Sequence, residues 1–72
     1  MSYDGWVKRG DALATLGRYE GAIESYDKAI VIKFNGKAAW HGKAVAFKKL
    51  GRNEEAAKCK AWYDYKDYYD PC

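Results

Sequence analysis

The chain alternates between apolar stripes at helical spacing and short breaks that contain glycine or polar residues. The first stripe has steps of four, three and four, which place its members on one side of a helix: Trp6, Gly10, Leu13 and Gly17. A second stripe combines small and aromatic residues: Ala22, Tyr26 and Ala29. Asn35-Gly36 then interrupts the pattern, as is typical of a turn. The first half of the chain therefore predicts two helices.

The second half of the chain has the same rhythm. Trp40, Ala44 and Phe47 are spaced four and three apart, and Gly51 follows them as Gly17 follows the first stripe. Glycine at this place is typical of a helix end, where the backbone turns into the left-handed region. Because no segment alternates in the way of a half-buried strand, the pattern predicts four helices joined by short turns.

The two halves match when the sequence is shifted by 34 residues. Trp6 then meets Trp40, and the segment Leu16-Gly17-Arg18 meets Leu50-Gly51-Arg52. A fixed period between about 20 and 50 residues is typical of repeats that stack against one another. Small residues at matching places predict close helix contacts: Gly10, Ala22, Ala44 and Ala56. We interpret both tryptophans as core residues that fill the space between helices.

This arrangement resembles the tetratricopeptide repeat, whose pattern is W-x2-L-G-x2-Y, then A-x3-F, then A and P. The first half carries Trp6, Gly10, Leu13, Ala22, Tyr26 and Ala29, and the second carries Trp40, Ala44, Phe47 and Ala56. The resemblance implies an all-α fold, with two stacked helix-turn-helix repeats that form a four-helix α-solenoid. It also implies a single domain over residues 1–72, with repeats at about 3–36 and 37–70.

The sequence departs from the family pattern at several positions. Arg9 and Lys43 stand where the family usually has leucine, and Phe34 stands where proline is common. After Ala56 the second repeat loses its apolar character, with polar or bulky residues at three expected core positions: Lys60, Tyr63 and Asp64. We interpret the last helix as the terminus of the array, because a terminal repeat needs a polar outer face.

The family resemblance implies a protein–protein interaction module. Proteins of this family are scaffolds whose first helices line a concave groove for a peptide or a partner helix. The groove candidates are the residues of the first and third helices that lie outside the core stripes: Val7, Asp11, Ala14, Thr15, His41, Val45, Lys48 and Lys49. Together they predict a groove that is neutral or acidic at one end and basic at the other, which suits an acidic partner.

A second interpretation is a self-associating scaffold, either a natural excerpt or an engineered chain, that oligomerises through its C-terminal helix. The candidate residues form an aromatic cluster: Trp62, Tyr65, Tyr68 and Tyr69. Clustered exposed aromatic side chains often mark an association surface. Two repeats are also fewer than the three or so usually needed for stability. The alternative is that these rings lie flat on neighbouring residues with their hydroxyls in water.

Composition narrows the possible functions. The net charge of +3 on 72 residues is too small to indicate a nucleic-acid protein. Nucleic-acid binding would rest on basic residues interleaved with aromatic ones: Lys37, Lys43, Lys48, Lys49, Arg52, Trp40 and Phe47. We interpret these basic residues as a solvated face, and the scattered acids in the same way. With one histidine, no activated nucleophile and no phosphate-binding loop, the sequence predicts no catalytic residues, metal site or cofactor.

The sequence also predicts a cytoplasmic protein that does not bind membranes. No apolar run approaches the roughly 18 residues that cross a bilayer, and the first ten residues do not resemble a secretory signal. In a reducing compartment we expect Cys59 and Cys72 to be free thiols. The alternative is a tail that folds back after Pro71 and brings the two together.

Overall fold

The computed structural model describes the backbone of residues 1–64 and the side chains as far as Cys59. Four α-helices follow one another along the chain: α1 (Tyr3–Thr15), α2 (Tyr19–Ile32), α3 (Lys37–Lys49) and α4 (Asn53–Asp64). The described residues contain no strand. The all-α class predicted from the spacing of apolar residues is therefore confirmed.

Helices α1 and α3 end in the same way. Gly17 and Gly51 follow these helices with φ angles of 81° and 79°, in the region that glycine adopts without steric cost. Beyond the first of them, the N–H of Arg18 donates to the carbonyl of Leu13 at 2.8 Å and satisfies an acceptor of the last helical turn. An equivalent bond closes α3. The repeated sequence thus produces a repeated backbone conformation.

The helices pack in sequence, α1 against α2 and α3 against α4, while α3 also contacts both helices of the first pair. Two clusters of buried residues result. The first consists of Ala22, Tyr26, Ala29 and Ala39. The second consists of Trp40, Ala44, Phe47 and Cys59. Ile30 packs against both clusters, so α2 connects the two halves of the core.

Tyr26 occupies the space between α1 and α3. A Cβ atom added to Gly10 would lie 2.6 Å from Cε1 of Tyr26, and one added to Gly42 would lie 2.4 Å from its Cζ. The ring therefore fits only because both helices present glycine to it. The sequence predicted the close contact at Gly10. It did not indicate Gly42, because the residue 34 positions earlier is Lys8 and the two halves have no shared pattern there.

The two tryptophans hold equivalent positions in the repeats but differ in burial. Trp40 is 1% exposed, and its indole N–H donates to the carbonyl of Phe34 at 2.7 Å. Trp6 packs against the first cluster but is only half buried. The prediction of a core residue is confirmed for Trp40 and holds only in part for Trp6, because α2 covers one face of Trp40 and the matching face of Trp6 borders an open cleft.

Cys59 is fully buried in the second cluster and is disulfide-bonded. The expectation of a free thiol is therefore wrong for this residue. It rested on the redox state of an assumed compartment, whereas disulfide formation depends on the approach of two side chains in space. Cys72 lies outside the described residues.

Candidate interaction surfaces

Four of the predicted groove residues belong to α1. Val7 and Ala14 are half buried and pack against the first cluster. Thr15 is exposed, and its hydroxyl donates to the backbone carbonyl of Asp11 at 2.9 Å. Two of the four side chains thus contribute to the core, while the other two form the exposed edge of the helix.

Asp11 binds another residue of the protein itself. The hydroxyl of Tyr26 donates a hydrogen bond of 2.5 Å to Oδ1 of Asp11. Burial raises the pKa of Tyr26 well above its usual range, and the hydrogen bond and negative charge of Asp11 raise this pKa further. Asp11 therefore positions α1 relative to α2. The interpretation of this acid as a simply solvated side chain is wrong.

Three of the four predicted groove residues on α3 lie together. His41, Val45 and Lys48 line an open cleft of about 420 Å³, which we call the α3–α4 cleft. The rest of its lining is mostly small: Ala44, Asn53, Ala56 and Ala57. Lys49 is exposed one residue away but does not line the cleft. The arrangement combines an apolar floor with a basic side chain at its edge.

A second cleft, of about 550 Å³, is lined by α1, α2 and the turn between them, with Leu50 at one end, and we call it the α1–α2 cleft. Its α1 wall contains Trp6, Arg9 and Leu13. Two cations flank the indole, since Cζ of Arg9 lies 5.9 Å and Nζ of Lys28 5.6 Å from the ring centroid of Trp6. This surface was not predicted from the sequence. The signal for it was the 34-residue repeat, which relates Trp6 to Trp40, the tryptophan on whose cluster α2 packs.

The aromatic residues predicted to mediate self-association are Trp62, Tyr65, Tyr68 and Tyr69. Trp62 belongs to α4, but its side chain lies outside the described part of the structure, as do the three tyrosines. Their predicted role therefore stays a prediction.

The two aromatic residues on which the nucleic-acid alternative rests are buried. Stacking on bases requires exposed rings, but Trp40 and Phe47 are only 1% and 5% exposed. Lys43, between them in the sequence, is also buried and forms an ion pair with Asp27. The other basic residues named for this alternative are exposed: Lys37, Lys48, Lys49 and Arg52.

Two features are absent from the part of the chain that the structure describes. No group of three or more histidine, cysteine, aspartate or glutamate residues there is arranged to hold a metal ion. Among the same residues, no helix combines the length and the apolar character needed to cross a membrane.

Comparison with known proteins identifies the family. The family model described as "TPR repeat" matches residues 10–51, which is more than half of the chain. The chain belongs to the tetratricopeptide repeat (TPR) family. Repeats of this family serve in general as protein-interaction scaffolds and are typically not catalytic.

Two curated relatives come from Methanocaldococcus jannaschii. "TPR repeat-containing protein MJ1428" is 38% identical over 52 residues, which cover 72% of this chain and 9% of the relative. "Uncharacterized protein MJ0572" is 39% identical over 54 residues, which cover 75% of this chain and 63% of the relative. The match thus spans less than two thirds of either relative. No solved structure matches the chain.

Proposed function

We propose that this protein is a protein–protein interaction module that presents a short concave groove to a peptide or a partner helix, and that it acts by binding rather than by catalysis. The groove is formed by α1 and α3 of a single domain with repeats at about 3–36 and 37–70. Its residues are Val7, Asp11, Ala14, Thr15, His41, Val45, Lys48 and Lys49. Membership of the TPR family supports the general role.

The observation that carries the proposal concerns the α3 part of the groove, where His41, Val45 and Lys48 line the α3–α4 cleft. Val45 is 41% exposed at its edge, beside small residues that leave room for an incoming side chain. Lys48 lines the same cleft, and Lys49 adds a second positive charge nearby. An apolar recess next to positive charge suits a partner segment that carries an apolar residue followed by an acidic one.

Peptide selection followed by charge reversal tests this function. Peptides of about 12 residues are selected from a random display library against the protein, and their dissociation constants are measured by titration calorimetry. We expect the selected peptides to be acidic. Lys48→Glu/Lys49→Glu should weaken their binding about tenfold or more, because reversing two charges removes the attraction and adds repulsion.

The matched control is Lys8→Glu/Lys58→Glu, which makes the same charge change at two exposed positions that line neither cleft. We expect it to change the affinity less than about twofold. Circular dichroism of both variants checks that α3 stays helical after its C-terminal cations are removed. An equal loss of affinity in both variants, or no peptide that binds more tightly than about 1 mM, contradicts the proposal.

Sedimentation distinguishes this function from the self-association alternative. A protein that stays monomeric at two widely different concentrations is not a self-assembling scaffold. A mass that increases with concentration, and returns to that of the monomer when Trp62, Tyr65 and Tyr69 are changed together to polar residues, supports self-association through the last helix.

A further inference from the structure

The protein contains its own example of a helix docked on a repeat. Helix α2 lies against α3, where Ile23 and Ile30 pack on the second core cluster. Between them, one turn from each, Asp27 forms an ion pair of 2.5 Å with Nζ of the buried Lys43. The docked helix therefore presents an apolar residue, an acid four positions later and a second apolar residue three positions after that.

The surface that receives α2 has a counterpart on the first repeat. The 34-residue shift relates three receiving residues of α3 to three residues that line the α1–α2 cleft: Trp40 to Trp6, Lys43 to Arg9, and Phe47 to Leu13. The distances between the cation and the indole ring are also similar in the two repeats. Nζ of Lys43 lies 5.7 Å from the ring centroid of Trp40, and Cζ of Arg9 lies 5.9 Å from that of Trp6.

We propose that the α1–α2 cleft docks one amphipathic helix of a partner protein. That helix carries branched apolar residues at positions i and i+7 and an acidic residue at i+4, whose carboxylate pairs with Arg9. The apolar residues pack on Trp6 and Leu13, as Ile23 and Ile30 pack on their counterparts. This surface is separate from the concave groove, so the inference does not rest on the proposed function.

The charged residues around the α1–α2 cleft favour a helix that carries an acidic residue. Arg9 and Lys28 flank Trp6, so this end of the cleft attracts a carboxylate. Glu20 and Glu24 line the cleft on the α2 side, which directs an acidic residue away from that wall and toward the indole.

Helix α4 of a second copy of this chain does not have the pattern of the docked helix. The 34-residue shift relates the docking residues of α2 to Ala57, Ala61 and Asp64, in place of Ile23, Asp27 and Ile30. The last helix thus lacks both the acid at the central position and a large apolar residue on either side of it.

The docking test uses α2 itself as the probe. A blocked synthetic peptide of residues 19–34 is titrated into the 15N-labelled full chain, and the indole N–H signals of Trp6 and Trp40 are followed by NMR. We expect saturable shifts of the Trp6 signal, with a dissociation constant on the order of 0.1 mM, since a free helix of this length is only marginally stable. Arg9→Glu should weaken binding about tenfold.

Two controls make the test specific. Lys8→Glu introduces the same charge change at the preceding residue, which does not line the cleft, and should alter the affinity less than about twofold. A peptide that carries Asp27→Lys should bind the Arg9→Glu protein more tightly than it binds the wild-type protein. Arg9→Gln provides a milder variant in case the reversal disturbs folding.

Three results overturn the inference. The first is no shift of Trp6 at about 1 mM peptide. The second is an equal effect of Arg9→Glu and Lys8→Glu. The third is a saturable shift at Trp40 without one at Trp6, which shows that the peptide displaces the protein's own α2 instead of binding the open cleft.

Discussion

The hydroxyl of Tyr26 on α2 donates a hydrogen bond of 2.5 Å to Oδ1 of Asp11 on α1. The same ring lies against Gly10 and Gly42, so one side chain determines how closely α1, α2 and α3 approach. Asp11 occupies a position assigned to the groove from the sequence. Any partner that binds there meets a carboxylate that already accepts a hydrogen bond from the core.

Tyr26→Phe tests the energetic contribution of this bond. Removing the hydroxyl leaves the ring in place but removes a hydrogen bond to a charged acceptor, so we expect the free energy of unfolding to fall by about 1–2 kcal/mol. Urea denaturation measures the change. Tyr19→Phe is the control, because Tyr19 is half buried and forms no hydrogen bond through its hydroxyl within the described residues. An equal, small effect of both substitutions contradicts the expectation.

The pKa of Tyr26 predicts a loss of stability in alkali. Its folded-state pKa lies above the value of about 10 for an unfolded tyrosine, so the folded chain holds this proton more tightly. The resulting stabilisation is fully present below about pH 10 and decreases as the pH rises toward the folded-state pKa. The stability difference between wild type and Tyr26→Phe should therefore shrink as the pH rises from about 10 to about 12. Denaturation midpoints across this range measure it, and a constant difference contradicts the assignment.

Gly42→Ala tests the close approach of α3 to Tyr26. The new Cβ would lie 2.4 Å from Cζ of a ring that is only 2% exposed and held by its hydroxyl. We expect overpacking of about 1–3 kcal/mol to exceed the gain of about 1 kcal/mol from replacing a helical glycine. Gly21→Ala is the matched control, because its Cβ meets Leu13 at an ordinary 3.5 Å. Thermal unfolding should show Gly42→Ala destabilised and Gly21→Ala unchanged or stabilised, and the reverse order contradicts the packing.

Asp27→Ala tests the ion pair that connects the repeats. The side chain of Lys43 is 9% exposed, so loss of its partner leaves a poorly hydrated cation. Because Asp27 itself is half exposed and screened by water, we expect a loss of about 1 kcal/mol in unfolding free energy rather than the full effect of a buried pair. Glu55→Ala breaks the exposed pair with Arg52 and should cost less. Equal losses by urea denaturation indicate that burial of Lys43 has no energetic effect.

The repeat pattern alone predicted the helices and their ends. Side-chain direction follows directly from position along a helix, so the spacing of Trp6, Gly10 and Leu13 identifies one face without reference to any neighbour. The left-handed conformation at Gly17 and Gly51 is equally local, since it depends on the absence of a Cβ. The predicted close contact at Gly10 followed from residue size at a matching position.

The sequence by itself thus determined four helices, the glycine-containing ends of α1 and α3, and the pairing of the helices in a repeated order. Only the tertiary structure decided which equivalent residues are covered: Trp40 by α2, while Trp6 borders an open cleft. It also decided that Asp11 and Asp27 bind other residues of the protein, although both look like surface acids in the sequence. The spacing of residues indicates which face of a helix each one occupies. Whether that face is buried depends on whether another helix lies against it.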